Sequence, residues 1–373
     1  MAKKISEITA YTFVGDFGQT VERFELKLAG TADKVEASDF RIIGGRKDIS
    51  GKVLSEGITS VEANGKTLVL NLDPFVYFDD FAIEGENNAS DYGFKKADVT
   101  NVVTKIADDF EYCNENGVNY RLYKPEVNGP RPLVLFLHGG GECGTDNNMQ
   151  MTGTMGAANL AERWPDMYIM APQAPDNGIS LEEMLSKYFK NGIMGKVVIG
   201  GPTQTTKGSR GWNREYVANV CGIIRKMIAD GLVDGRRVYV TGMSMGGAGV
   251  IHTLSADANL FAAAAPMCPS MNGETYAMLC KLPNVPTWIS AAYIDHQPGR
   301  HAYLHRAIEQ LRLTEGRDVR LTLFTPEELE EYGIGCHPEL TEKQIYSENH
   351  NCWTLTLHNE HCILDWLISN EKN

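Results

Sequence analysis

The stretch Val238–Gly249 (VYVTGMSMGGAG) decides how the rest of the chain is read. It opens as a short apolar run rich in β-branched and aromatic residues, the composition of a buried strand. The run breaks at Gly242–Gly246 (GMSMG), a Gly-x-Ser-x-Gly pattern, and continues into Gly247–Leu254 (GAGVIHTL), which can wind as a helix. A serine on so sharp a strand-to-helix turn is held in a strained backbone conformation, with its hydroxyl raised above the sheet. The glycines two places before and after it let strand and helix pass closer than side chains would allow. Five such residues also occur as a plain glycine-rich turn, so whether Ser244 is a nucleophile depends on its surroundings.

Outward from this turn, strands and helices alternate. Pro132–His138 (PLVLFLH) and Met167–Met170 are continuous apolar runs of the kind buried on both faces of a parallel sheet. Asn213–Leu232 carries Tyr216, Val217, Val220, Ile223, Ile224, Met227 and Ile228 at helical spacing. Phe261–Met267, Val285–Ile294 and Val319–Phe324 supply further strands, a hairpin is expected over 110–123, and a final helix over Asn359–Leu367. This is an α/β, doubly wound, mostly parallel sheet spanning residues 109–373. The stretch from Ala174 to Gly211, glycine- and lysine-rich and long for a connection, is expected to be a functional loop or lid.

Composition changes near residue 110: all eight Cys, all five Trp and all nine His lie after it. Residues 1–108 instead show short strand-like runs parted by turn signals, with a hairpin signal at Ala63–Lys66 (ANGK). They read as a small all-β sandwich of immunoglobulin-like size. Phe75, Tyr77, Phe78 and Phe81 cluster there, and core packing is favoured over a ligand platform for them.

A serine hydroxyl needs an imidazole to take its proton, and the imidazole needs a carboxylate to fix its tautomer. In a doubly wound sheet these groups belong at the carboxyl ends of later strands, in the order serine, acid, histidine. Asp295 ends the apolar run Val285–Ile294 and is the acid expected. Asp257, Asp318 and Asp365 fall in a helix or at the wrong strand end. His350 lies between the last strand and the last helix and is the base expected, with His337 in a Gly-Cys-His-Pro loop as the fallback. His296, His301 and His305 are close enough in sequence to suggest a metal cluster, but no matching carboxylate pattern accompanies them, and no metal or other cofactor is expected. His138–Glu142 (HGGGE) follows a buried strand and can turn backbone amides toward an oxyanion; it lacks the Lys-Ser/Thr ending of a phosphate-binding loop. The donors expected are the amides of Gly140 and Met245, with Gly139 or Gly141 as alternatives to Gly140. Trp212, Tyr293 and Trp353 are expected to line the pocket.

With those residues in place, the C-terminal part resembles the α/β-hydrolase superfamily, and within it bacterial esterases and predicted peptidases related to prolyl oligopeptidase and polyhydroxybutyrate depolymerase. The likeness rests on Leu137–Glu142, Gly144–Asn147 (GTDN), Ala171–Gln173 (APQ), Asp234–Gly247, Asp295, His350–Trp353 (HNCW) and Asp365–Leu367 (DWL), in that order. Some esterases of this group carry an immunoglobulin-like N-terminal domain, which residues 1–108 are similar to. The chain departs from the group at Ala291-Ala292, where His-Gly is frequent, and in the segment after Asp295. The resemblance implies a serine carboxylesterase acting on small acyl, acetyl or feruloyl esters, including esters on plant polysaccharide. A serine peptidase shares every motif quoted, and a carbohydrate-binding protein with an inactive hydrolase domain is the reading from another class.

The composition, 43% hydrophobic and 22% charged, is that of a globular protein. A formal charge of -13 argues against nucleic acid and anionic membrane surfaces as partners. The partner expected is therefore a small-molecule or carbohydrate ester, with homo-oligomerisation through the N-terminal domain left open. No signal peptide is visible and the cysteines are scattered without a Cys-x-x-Cys pair, which fits a reducing cytoplasm, or secretion if a leader has been removed.

Overall fold

A computed structural model describes residues 5–44, 57–77, 80–127, 129–175, 211–296, 300–336, 338 and 340–372. The expected lid over 174–211 lies, apart from its ends, outside the described residues, as do His337 and Phe78. The chain forms two compact units that divide between Asp109 and Phe110.

The first unit is all-β. Strands β1 (Ile5–Gly15), β2 (Gly18–Leu28), β3 (Phe40–Gly44), β4 (Ile58–Asn64), β5 (Thr67–Val76), β6 (Phe81–Gly85), β7 (Phe94–Lys95) and β8 (Asn101–Thr104) build two sheets, ordered β4-β5-β2-β1-β8 and β3-β6-β7. The hairpin expected at Asn64-Gly65 joins β4 to β5, with Gly65 at a φ of +61° that glycine adopts without strain. Side chains from both sheets share one apolar core. Phe24 packs on Phe81 and Phe94, and Phe75 and Tyr77 pack on Phe81. The aromatic cluster is thus largely core.

The second unit carries strands β9 (Glu111–Glu115), β10 (Val118–Tyr123), β11 (Arg131–Leu137), β12 (Tyr168–Pro172), β13 (Val233–Met243), β14 (Ala263–Met267), β15 (Thr287–Ala292) and β16 (Val319–Phe324). They form one sheet in the order β16-β15-β14-β13-β11-β12-β10-β9. Pairing is parallel from β12 to β16 and antiparallel where β10 meets β12 and β9. Leu133 to Leu137 are at most 1% exposed, as a strand covered on both faces must be. The helices among the described residues are α1 (Met149–Thr152), α2 (Ala157–Arg163), α3 (Arg214–Ala229), α4 (Met245–Asp257), α5 (Gly273–Leu279), α6 (Arg300–Glu315), α7 (Pro326–Glu331), α8 (Glu342–Asn349), α9 (Trp353–Leu357) and α10 (Ile363–Ser369). In α3, Tyr216, Val217, Val220, Ile223, Ile224 and Met227 are buried, and the Asn213 side chain caps its start by accepting the Tyr216 amide. No helix among the described residues is long and apolar enough to cross a membrane.

Two expectations shift. The β13 strand begins at Val233, ahead of the apolar run at Val238 that marks it in the sequence. The final helix starts at Ile363, because Asn359, His361 and Cys362 all take left-handed backbone and interrupt any earlier helical run.

This strand order sets the location of the site. From β11 the chain crosses to β12 on one side, and from β13 to β14 on the other, while β11 and β13 lie side by side. The carboxyl ends of β11 and β13 are therefore the switch point of the sheet, the place where open α/β sheets carry their ligand sites.

Candidate active site

Ser244 stands at the junction of β13 and α4, with φ 57° and ψ -115°. A non-glycine residue rarely takes this conformation, and the surroundings hold it there. Its amide donates to the Met267 carbonyl at 3.0 Å, and its carbonyl accepts from Ser270 at 2.9 Å and from Ala248 at 3.1 Å. A Cβ on Gly246 would overlap the carbonyl oxygens of Leu137 and His138, and one on Gly242 would meet Leu137. The two flanking glycines are thus required by close approach of α4 and β13 to the end of β11.

Ser244, His350 and Asp295 stand in a row, with the imidazole between hydroxyl and carboxylate. The Nε2 atom of His350 lies 2.9 Å from Ser244 Oγ, and its Nδ1 lies 3.3 Å from Asp295 Oδ2. Asp295 follows the tip of β15 and is 4% exposed. His350 sits on a one-turn helix, His350–Cys352, directly after α8, rather than in an open loop. The Asn349 amide group donates to the Ile294 carbonyl at 3.0 Å, which fastens this turn to the strand tip beside the acid.

The loop after β11 is built as a buried, hydrogen-bonded shelf. Its His138 is wholly buried: Nδ1 is 2.6 Å from the Gly139 carbonyl and Nε2 accepts the Ala174 amide at 2.9 Å. Burial pushes its pKa down to about 4, so it is a neutral, Nδ1-protonated ring in the folded chain. Glu142, 2% exposed, accepts the Gly139 amide at 2.8 Å. Gln173 donates to the Glu142 carbonyl and to Asp146, and accepts the Asn147 amide. The Tyr216 hydroxyl donates to the Gln173 carbonyl at 2.6 Å. The GGGE, GTDN and APQ segments are therefore parts of one clamp.

The shelf reaches the serine. A Cβ on Gly139 would stand 3.8 Å from that of Ser244. The Gly139 amide is spent on Glu142, so Gly139 drops out as an oxyanion donor. Gly140 opens the turn Gly140–Glu142, and Met245 is the first residue of α4, where an amide has no carbonyl one turn back to bind.

Of the aromatic residues expected in the pocket, Tyr293 is 48% exposed beyond β15 and stacks on His301 at 5.2 Å. Trp353 is 5% exposed and meets the His350 ring edge-on at 5.5 Å. Trp212 is placed differently from that expectation. At 3% exposure it donates its indole N–H to the His138 carbonyl at 3.1 Å and fills the space left by Gly249, supporting the shelf from behind.

Sequence reasoning missed Arg300, the first residue of α6. Its side chain is 2% exposed, its Nη1 binds Asp295 Oδ2, and the same atom is 3.0 Å from His350 Nδ1. The thiols of Cys268 and Cys352, both buried, also lie against it, and none of the eight cysteines is in a disulfide. His296 packs its ring against His350, 4.2 Å between centroids, and burial pushes its pKa down to about 3. Asp295, His296 and His350 place three ligand atoms within 4.8 Å of one another, a spacing a cation could use. A guanidinium already occupies that carboxylate, and its charge opposes a second cation there.

A solved structure shares this architecture. Residues 203–306 match the sequence profile of the prolyl oligopeptidase family. The solved structure of a thermostable esterase superposes with a TM-score of 0.68 at 24% identity, covering 99% of this chain and 100% of that one. An S-formylglutathione hydrolase from Staphylococcus aureus matches over 69% of this chain and 96% of its own, at 14% identity and a TM-score of 0.42. Among curated proteins no sequence matches this chain.

Proposed function

We propose that this chain, a serine hydrolase of the α/β-hydrolase fold, is a carboxylesterase that works through an acyl-enzyme. The observation that carries the reading is the contact of 2.9 Å between Ser244 Oγ and His350 Nε2 at a strained strand-to-helix turn, with Asp295 behind the ring. In the reaction Ser244 Oγ attacks the ester carbonyl as its proton passes to His350 Nε2. Asp295 accepts the Nδ1–H and steadies the imidazolium. The amides of Met245 and Gly140 receive the oxyanion, a stabilisation whose loss at one donor commonly costs about 10²–10³ in kcat. The alcohol leaves with the proton from His350, and water repeats the sequence to free the acid.

Tyr293, which stacks on His301, and Trp353, which meets the His350 ring edge-on, are the pocket residues of this reading. Small acyl, acetyl or feruloyl esters, free or carried on a carbohydrate, are the substrate class. Residues 1–108 serve as an immunoglobulin-like accessory domain, a reading supported by two sheets sharing one core. The match to the prolyl oligopeptidase profile favours serine peptidase activity as the second reading. Short p-nitrophenyl, acetyl-sugar and feruloyl esters assayed beside proline-containing peptide p-nitroanilides on one preparation separate the two. Ester turnover at least about 10²-fold above peptide turnover in kcat/KM is expected, a margin that corresponds to about 2.7 kcal/mol of differential transition-state binding. Peptide turnover equal to or above ester turnover would replace the esterase reading with the peptidase one.

A further inference from the structure

Arg300 stands where a serine, histidine and aspartate array has no use for a cation. A buried arginine is costly unless its charge is matched, and here the match is Asp295, the carboxylate that should serve His350. The two groups pull the imidazole in opposite directions. A guanidinium can only donate, so Arg300 Nη1 at 3.0 Å from Nδ1 favours the tautomer with a lone pair on Nδ1 and the proton on Nε2. Asp295 can only accept when ionised, so it favours the proton on Nδ1 and leaves Nε2 free to take the serine proton. A full positive charge beside the ring also opposes its second protonation.

We propose that Arg300 is a positioning residue that holds the Asp295 carboxylate in place and, by its charge beside Nδ1, keeps His350 from becoming a resting imidazolium. The proposal rests on the esterase reading of the same site. It predicts an active site that keeps its base unprotonated into acid solution, at the cost of weaker support for the imidazolium formed during the reaction.

The other groups around His350 do not supply this effect. His296 packs on the ring as a neutral imidazole, for burial holds its pKa at about 3. Ser244 is uncharged. Glu348, two residues before His350, is buried and accepts the Gly335 amide at 2.9 Å. Cys268 and Cys352 lie against Arg300; burial and the neighbouring Cys268 keep Cys352 a neutral thiol, whereas the Cys352 hydrogen bond and the Arg300 charge hold Cys268 below the ordinary thiol value despite its burial. Burial first, and then the Arg300 charge, hold His350 well below the ordinary histidine range.

The test is the titration of His350 by ¹⁵N NMR in the full chain labelled at histidine, with His350→Gln assigning the signal, alongside the pH profile of kcat/KM on a short ester. Wild-type His350 should titrate below 6.5, the ordinary value. Arg300→Gln should raise that midpoint by about one pH unit, the size a neighbouring charge commonly imposes, and carry the acid limb of kcat/KM with it. Arg300→Lys should keep the wild-type midpoint. A wild-type midpoint at or above 6.5 overturns the proposal even if no variant folds. So does an unmoved midpoint in Arg300→Gln, or an equal rise in Arg300→Lys. A midpoint that rises in Arg300→Gln, when the wild-type chain turns over no ester, would overturn the esterase reading while supporting the hold of Arg300 on His350.

Discussion

Two histidines stand at the carboxyl edge of one sheet, and comparing their surroundings separates structure from chemistry. His138, in the shelf after β11, is wholly buried, and both ring nitrogens are spent on backbone: one on the Gly139 carbonyl, one on the Ala174 amide. His350 keeps 13% of its side chain exposed and turns Nε2 to a serine hydroxyl and Nδ1 to a carboxylate and a guanidinium. Both have pKa values driven down by burial, so a lowered pKa does not mark the reactive ring. The partners do. A ring whose hydrogen bonds both go to backbone fixes a loop, even with the Glu142 carboxylate 3.9 Å away, whereas a ring between a hydroxyl and an acid can move a proton.

The sharpest way to break this comparison is to remove each ring. His350→Gln should lower kcat by about 10⁶, the scale seen when a triad base is deleted, with little change in melting temperature. His138→Phe leaves the Ala174 amide buried without an acceptor and should cost about 1–3 kcal/mol of stability, read by urea unfolding. Comparable losses of kcat in both variants would erase the distinction.

Acid titration sharpens it further. The unfolded chain protonates His138 near 6.5, whereas the folded chain keeps it neutral to about 4. Between those values the unfolded state binds the extra proton, so this contribution to stability is complete above 6.5 and is lost as the pH falls to about 4. The loss is on the order of 3 kcal/mol. In His138→Gln the slope of unfolding free energy against pH over that window should flatten; an unchanged slope would show that the ring does not carry it. The smallest effect expected is from Trp212→Phe, which removes the indole donor from the His138 carbonyl while keeping most of the packing. It should cost about 1 kcal/mol and leave KM within twofold.

What the sequence made legible was what chain order and local pattern encode. The Gly-x-Ser-x-Gly turn, the apolar runs of β11 and β13, and the order of Ser244, Asp295 and His350 are each a local signal or a topological rule. The GGGE, GTDN and APQ segments were visible as motifs, but their mutual clamp, with Gln173 at its centre, forms only in space. Trp212 was misplaced because an aromatic residue near a predicted helix start reads the same whether it faces a ligand or packs on Gly249. Arg300 left no trace: an arginine five residues after an acid is ordinarily a solvated one, and only its 2% exposure reveals its place.

The central claim, that Ser244 is the nucleophile, is tested most directly by intact-mass and peptide analysis after treatment with a fluorophosphonate. The account predicts one adduct per chain, located on Ser244, absent in Ser244→Ala together with ester hydrolysis. An adduct on another residue, or ester hydrolysis that survives in Ser244→Ala, would contradict it.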